Sequence, residues 1–577
     1  MNRVHRMSAL RGRAALAVLL GVLCGGFAVP AARGAPAAGF SEGAGPAARF
    51  GVHEIALTGN GGVANPFDTD VTVTFTPAVG RSAQTVHAFF DGGDTWRARV
   101  YVGGTGRWLW TSRCASDPAL DGRGGAFEAA DSALCGRLLP HPANPRQWMT
   151  EDGRWFLNVS DTAYFLLCTH DGDGAPVAER DAQDYVSEAV GLGVTSVRCF
   201  LAGDAHGFRE RREQWTDWIF EDEGATRLRF DNLQCADRRL RWLLDNRPGL
   251  AVQLILFPVA DRSRDEGFWT GLSAAQRERA LRQLVARYAA YPQLFWLIAN
   301  DVHYGEKFPN NNAFAREVGR YLERNDPWQH PRSTGPARRE VFPFGGETWA
   351  SYIHLENEHD LGAAECARYR DCAKPVFLGE DRYEQDHGTD RDPAHMAYWQ
   401  RRLYWAWLFS GGSATYGGRW WLLQPYTQTG KRAAPSRWNR DLVFRDALTG
   451  LDAARHIRSY FAARHIELSG FEADPGLAKD ADGAAGARAP ACMRRARQEF
   501  LIYHPNAAAD GREARVDAAR TPGLTVDLAA ADGAFAAEWC RVRDGAAQAG
   551  GTVAGGRTQT LRSPWLGEDC VLRLLAE

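Results

Sequence analysis

The sequence predicts a multidomain protein in which a central (β/α)8 TIM barrel is flanked by N-terminal and C-terminal β-sandwich domains. Three observations carry this. From about residue 144 to 441, short apolar runs alternate with amphipathic helical patterns, the signature of βαβ units and a parallel sheet. Two of those runs, LFWLIAND (294–301) and PVFLGE (375–380), stop abruptly at Asp301 and Glu380, as strands buried on both faces do where they reach a barrel mouth. On either side of this region the period becomes two, with turn residues between short runs.

Residues 1–37 read as a secretory signal. Arg3, His5, Arg11 and Arg13 precede the apolar run 14–29 and the small-residue stretch 31–38, with cleavage after Gly34 or Ala37. Cys24 lies in GVLC, where Leu23 occupies the place that a lipidation signal gives to a small residue. Setting Cys24 aside leaves ten of the 11 cysteines. An even number in an exported chain implies disulfides, with Cys366–Cys372 and Cys114–Cys135 as candidate pairs. No later segment is long and apolar enough to span a bilayer.

Residues 48–140 read as a small antiparallel sandwich. VTVTF (71–75) and WRARVYV (96–102) alternate, with turns at Asn65-Pro66, Asp91-Gly92-Gly93 and Gly103-Gly104. A positioning role is the simpler reading of this module; sugar binding is the other.

Residues 141–455 hold the barrel. Its candidate strands are RWFLNVSD to Asp161, TSVRCFLA (195–202), AVQLILFPVAD to Asp261, LFWLIAND, HPRSTG from His330, ASYIHLEN to Asn357, KPVFLGE and GGSATYGG from Gly411. HPRSTG is the weakest. Between strands, Leu281, Leu284, Val285 and Tyr288 share one helical face, as do Phe314, Val318, Tyr321 and Leu322. Residues 456–577 pass through an Ala-, Gly- and Asp-rich stretch at 478–489, read as loop, into the short strands of a second sandwich.

A chain of 577 residues exceeds what one core supports, and a net charge of −2 gives no reason to expect nucleic acid or an anionic membrane as partner. The 20 Trp and 16 Tyr are compatible with sugar-stacking platforms, although most aromatics are core. No zinc-ligand spacing, HExxH motif or GxSxG elbow is present, which argues against a protease.

Most candidate strands end in or near an acid: Asp161, Asp204, Asp261, Asp301, Glu356 and Glu380. Active sites of such barrels lie at the C-terminal strand ends. Hydrolysis of a glycosidic bond needs two carboxyl groups, one to protonate the leaving oxygen and one to attack the anomeric carbon or activate water. Asp301 on the fourth strand and Glu380 on the seventh meet that requirement topologically.

The segments NPRQWMTEDGRWFLNVSDTAYFLL (144–167), RYAAYPQLFWLIAND (287–301) and KPVFLGEDRYE (374–384) resemble the apiosidase-like glycoside hydrolases, within the large clan of (β/α)8 glycosidases. The front domain resembles the β-sandwich that often precedes such barrels, and the tail resembles a module sometimes labelled collagen-binding. The resemblance implies Asp301 as acid/base, Glu380 as nucleophile of a retaining reaction, and Asn300 hydrogen-bonding the hydroxyl beside the anomeric carbon. It implies a poly- or oligosaccharide substrate and no metal or organic cofactor. Where the wider clan has Asn-Glu this chain has Asn300-Asp301, one methylene shorter, which leaves inversion open.

The further expectations each carry an alternative. Asp161 matches a family position near the sugar, or caps a helix. His354 and Glu356 orient Glu380 or bind substrate, or form a structural pair. His303, Tyr304 and Trp420, with Trp421, form subsite walls or pack. Arg338 and Arg339 contact acidic sugars or face solvent. A non-catalytic carbohydrate- or matrix-binding protein on a degenerate barrel is the alternative for the whole chain.

Overall fold

The computed structural model describes residues 38–577 except 79, 81, 171–175, 202–219, 222–225, 259–267, 338, 357–362, 382–383, 385–392, 418–448 and 509–514. The expected leader with Cys24, and Asp204, Asp261, Arg338, Asn357, Trp420 and Trp421, lie outside the described residues.

Eight parallel strands form the centre: Val159–Thr162, Ser196–Phe200, Ala251–Pro258, Leu294–Asn300, Arg332–Ser333, Ile353–Glu356, Val376–Glu380 and Ser413–Tyr416. They pair in the order fifth, fourth, third, second, first, eighth, seventh, sixth. Fifth and sixth are joined by single bonds rather than a ladder. Ser351 N–H donates to the Arg332 carbonyl at 2.9 Å, and Arg339 N–H to the Glu356 carbonyl at 2.7 Å, so the barrel nearly closes. The fifth strand, the weakest in the sequence, is two residues long.

The run RWFLNVSD divides. Gly153, at φ 92°, turns the chain so that Trp155–Phe156 pairs back on Asn144–Thr150, and only Val159–Thr162 enters the barrel. The resulting three-stranded sheet plugs the N-terminal end. Leu138, Trp148 and Phe156 pack against the inward-facing Ala251, Phe295, Tyr352 and Phe377. The opposite, C-terminal end is left for chemistry. Helices Ala274–Tyr288 and Pro309–Asn325 bury the apolar faces expected of them.

The front sandwich has a four-stranded and a five-stranded sheet, and Val71–Pro77 alternates buried and outward as its sequence predicts. It is tied to the barrel by a buried charge network. Arg99 binds Glu54 at 2.7 Å and Asp237 at 2.8 Å, while Arg287 binds Asp91 at 2.7 Å and Asp237 at 2.8 Å. The rear sandwich has six-stranded and three-stranded sheets over its own core. Ala478–Asp480, expected as loop, is a strand there, because its backbone pairs with Gly523–Asp527. Arg401, on helix Pro393–Phe409, grips Asp569 of this sandwich at 2.7 Å.

The expected disulfides are absent among the described residues: none of the ten described cysteines is joined to another. The elements carry them apart. Cys366 lies against Gly412 and Cys372 against Gly345, while Cys114 bonds Ser116 and Cys135 donates to the Pro248 carbonyl at 3.3 Å. No described helix is long and apolar enough to cross a membrane.

Candidate active site

Along the seventh strand Phe377 faces the basal plug and Leu378 the outer helices. Simple alternation would turn Gly379 inward and Glu380 out. A bulge changes this: Leu355 pairs with Leu378, but Glu356 pairs with Glu380. Skipping Gly379 brings Glu380 level with Glu356, the use of a bulge to re-aim a side chain. Gly379 is also required for space, since a Cβ there would lie 1.8 Å from the His354 ring.

Glu380 is buried, with 1% of its surface exposed. Its Oε2 accepts from the Tyr164 hydroxyl at 2.5 Å and from Arg198 Nη1 at 2.9 Å. The same Nη1 lies 2.9 Å from the Tyr164 oxygen, and Nη2 donates to Glu356 Oε1 at 3.1 Å. Arg198 projects inward from the second strand and is fully buried, so these carboxylates offset the cost of its desolvation. Tyr164, stacked on Phe200 at 4.5 Å, holds its proton far more tightly than a free tyrosine. Burial is the main cause; Glu380 and Glu356 reinforce it and Arg198 opposes it. It therefore remains a donor to Glu380.

On the sixth strand His354 and Glu356 both point inward, with His354 Nε2 3.4 Å from Glu356 Oε1. Gln253 Nε2 lies 3.2 Å from His354 Nδ1 and donates to the Tyr352 hydroxyl at 2.9 Å. Burial, with Arg198 beside it, pushes the His354 pKa well down against the pull of Glu380, so the ring is neutral.

Asp301 follows the fourth strand in the left-handed region, at φ 58°, and is 2% exposed. That backbone costs on the order of 1–2 kcal/mol and persists only where the surroundings fix it. They do so here. Val302 N–H donates to the Gly335 carbonyl at 3.0 Å, Ala337 N–H to the Val302 carbonyl at 2.8 Å, and Tyr304 N–H to Glu340 at 3.3 Å. His303 pairs with Glu340 at 2.5 Å and stacks on Phe308, while the Tyr304 hydroxyl bonds Thr334 at 2.5 Å. Tyr304 is thus buried and braces the loop, while His303 is partly exposed. Asn300, also buried, ends the strand beside Gly335.

Asp161 does not join this group. Its Oδ2 accepts from Tyr185 on helix Glu179–Gly191 at 3.0 Å, on the helix side of the first strand. The inward positions are its neighbours Ser160 and Thr162, the latter 3.3 Å from Thr415 on the adjacent eighth strand. Strand parity thus gives Asp161 a contact that ties strand to helix, on the side away from Ser160 and Thr162.

Sequence reasoning missed Arg198, Tyr164, Gln253 and Glu384. A charged or amide residue centred in an apolar strand, as in SVRCF and AVQLILFP, was the available signal, because such a group must find buried partners. Glu384 accepts from the Tyr416 hydroxyl and from Gly450 N–H at 3.1 Å, anchoring the chain after the seventh strand. Among the described residues no group of three or more His, Cys, Asp or Glu is arranged to hold a metal ion. A cavity of about 280 Å³ lined by Gln147, Phe409, Gly411, Phe471 and Met493 opens at the other end of the strands, away from the carboxylates.

A nearly closed parallel barrel with buried carboxyl groups at the ends of its fourth and seventh strands is the arrangement of a (β/α)8 glycoside hydrolase, and the family match gives the protein that class. The chain belongs to the apiosidase-like family, whose catalytic-domain model matches residues 143–467, more than half its length. A domain of unknown function, DUF5060, matches residues 47–115. Among solved structures the chain is similar to a protein of Bacteroides vulgatus ATCC 8482 provisionally assigned as a glycoside hydrolase. The two are 18% identical with a TM-score of 0.64, covering 92% of this chain and 100% of that one. It is similar also to a glycoside hydrolase family 5 structure from the same organism, at 15% identity and TM-score 0.56 over 76% of this chain and 94% of that one. These likenesses concern the fold. None of the curated proteins compared with the chain matches it.

Proposed function

We propose that the protein is an exported, retaining glycosidase acting on plant or microbial polysaccharide, with Glu380 as nucleophile and Asp301 as acid/base. The observation that carries this reading is the seating of Glu380: two donors, Arg198 and Tyr164, converge on one oxygen of a buried carboxylate and favour its ionised form. In the first step Glu380 attacks the anomeric carbon as the glycosidic bond breaks, and Asp301 gives its proton to the departing oxygen. In the second, water attacks the same carbon, Asp301 takes the water proton, and Glu380 leaves as carboxylate. Asn300, next to Asp301, hydrogen-bonds the adjacent sugar hydroxyl. Family membership supports the carboxylate pair, and the N-terminal leader supports export.

The test is a panel of aryl glycosides and polysaccharides incubated with the parent chain, Asp301→Ala and Glu380→Ala. Released sugar and the anomeric form of the first product are followed by NMR. The expected result is activity in the parent, a loss of at least 100-fold in each variant, and retained configuration. Activity that survives both substitutions overturns the site. An inverted first product overturns the nucleophile role, and sugar binding without turnover in the parent overturns the enzymatic reading.

A further inference from the structure

The sixth strand presents an arrangement that the two-carboxylate reaction does not require. Glu356 stands opposite Glu380 across adjacent strands, and one guanidinium bridges them, Nη2 to Glu356 and Nη1 to Glu380. Two neighbouring strands omit side chains to admit the pair on this strand. A Cβ on Gly335 would lie 2.7 Å from Glu356 Oε1, and one on Gly379 would meet the His354 ring. Glu356 and His354 are both at most 1% exposed.

Resting on the retaining reading above, we propose that Glu356 is a positioning residue that acts on Glu380 through Arg198. Its carboxylate fixes the guanidinium plane so that one arm, and not both, serves the nucleophile. Its charge also takes a share of the only guanidinium seen to bind Glu380 among the described residues. His354, held neutral by burial, adds no charge beside Glu356. Among the described residues the titratable and charged groups beside Glu380 are Arg198 from the second strand, Tyr164 after the first, and His354 and Glu356 from the sixth, while Asp301 after the fourth faces it across the site in the proposed reaction. A like charge beside a carboxylate disfavours its ionisation, so Glu356 keeps Glu380 more basic, and a better nucleophile, than Arg198 alone would leave it.

The test compares Glu356→Gln and Glu356→Asp with the parent on whichever glycoside the parent cleaves. Glu356→Gln removes the charge and keeps the shape. It is expected to lower kcat about 10- to 100-fold with KM within about threefold, and to move the acidic limb of the pH–rate profile down by roughly one unit. Glu356→Asp keeps the charge but withdraws it by one methylene, so kcat falls while the acidic limb stays near the parent's. Should Glu356→Gln not fold, Glu356→Asn is read in its place: its acidic limb is expected to move down as well, and an unmoved limb overturns the proposal. A rise in KM that accounts for the whole loss means that Glu356 touches substrate, and overturns the proposal. An unmoved limb in Glu356→Gln, with only a lower melting temperature, means a structural role and overturns it as well. A parent without activity refutes the proposed function itself, a result distinct from either of these.

Discussion

The Tyr164 hydroxyl lies 2.5 Å from Oε2 of Glu380, and its buried ring cannot turn away without losing its stack on Phe200. A neutral donor thereby reinforces what the Arg198 charge begins. Tyr164→Phe removes one hydrogen bond to a charged group, worth about 1.5–3 kcal/mol. Turnover is expected to fall roughly 10- to 100-fold. The donor favours ionised Glu380, so its loss raises that pKa and the acidic limb of the pH–rate profile moves up. Steady-state kinetics across pH checks this, and an unmoved limb counts against the contact.

The bulge at Gly379 makes a second prediction. His354 is fully buried and has no room to retreat from a Cβ placed 1.8 Å from its ring. Gly379→Ala should therefore cost at least the 1–3 kcal/mol of an overpacked core and displace Glu380 as the bulge relaxes. Thermal melting and activity, measured together, should both fall. A variant that melts and turns over like the parent would show that the bulge does not set the nucleophile.

The front sandwich should behave as part of the catalytic body. Arg99 is 4% exposed and bound to Glu54 and Asp237, with its Nη1 also donating to the Arg287 carbonyl at 2.5 Å. Arg99→Met leaves two carboxylates short of a buried partner, which typically costs about 3–5 kcal/mol. Calorimetry of the parent should give one cooperative transition for sandwich and barrel, shifted down as a unit in the variant. A sandwich that melts alone would refute the coupling.

His53 gives the front domain a pH dependence. It is buried against Phe127 at 3.7 Å, its Nδ1 2.9 Å from the Ser41 hydroxyl and its Nε2 3.1 Å from the Gly43 carbonyl. Burial pulls its pKa down to about 4, opposed by the Gly43 carbonyl and Glu42. Between about pH 6.5 and 4 the unfolded chain binds a proton that the folded chain refuses, so stability falls as pH drops through that window. The loss is on the order of 3 kcal/mol and levels off below it. Urea unfolding at pH 7 and pH 4.5 should show a smaller loss for His53→Gln than for the parent.

Much of the barrel was legible because each parallel strand is covered on both sides, which writes it as a short apolar run. LFWLIAND and PVFLGE show this, down to the polar residues at their ends. The fifth strand was faint because two residues cannot carry a pattern. Asp161 was ambiguous because an acid at a strand end reads the same whichever face it occupies, and parity put it against Tyr185. The cysteines misled because their number says nothing about distance; ten thiols are carried on elements that never bring two to bonding geometry among the described residues.

By itself, then, the sequence determined the strand and helix periods, and with them the barrel, its flanking sheets and the strand-end positions of Asp301 and Glu380. Only the tertiary structure decided which side chains meet. The bulge at Gly379 turns Glu380 inward, the pins around Val302 hold Asp301 in a left-handed backbone, and Arg198 reaches two carboxylates from strands more than 150 residues away. Periodicity is local, fixed by how each residue sits on its own element, whereas a buried charge finds its partners only when the sheet has closed around it.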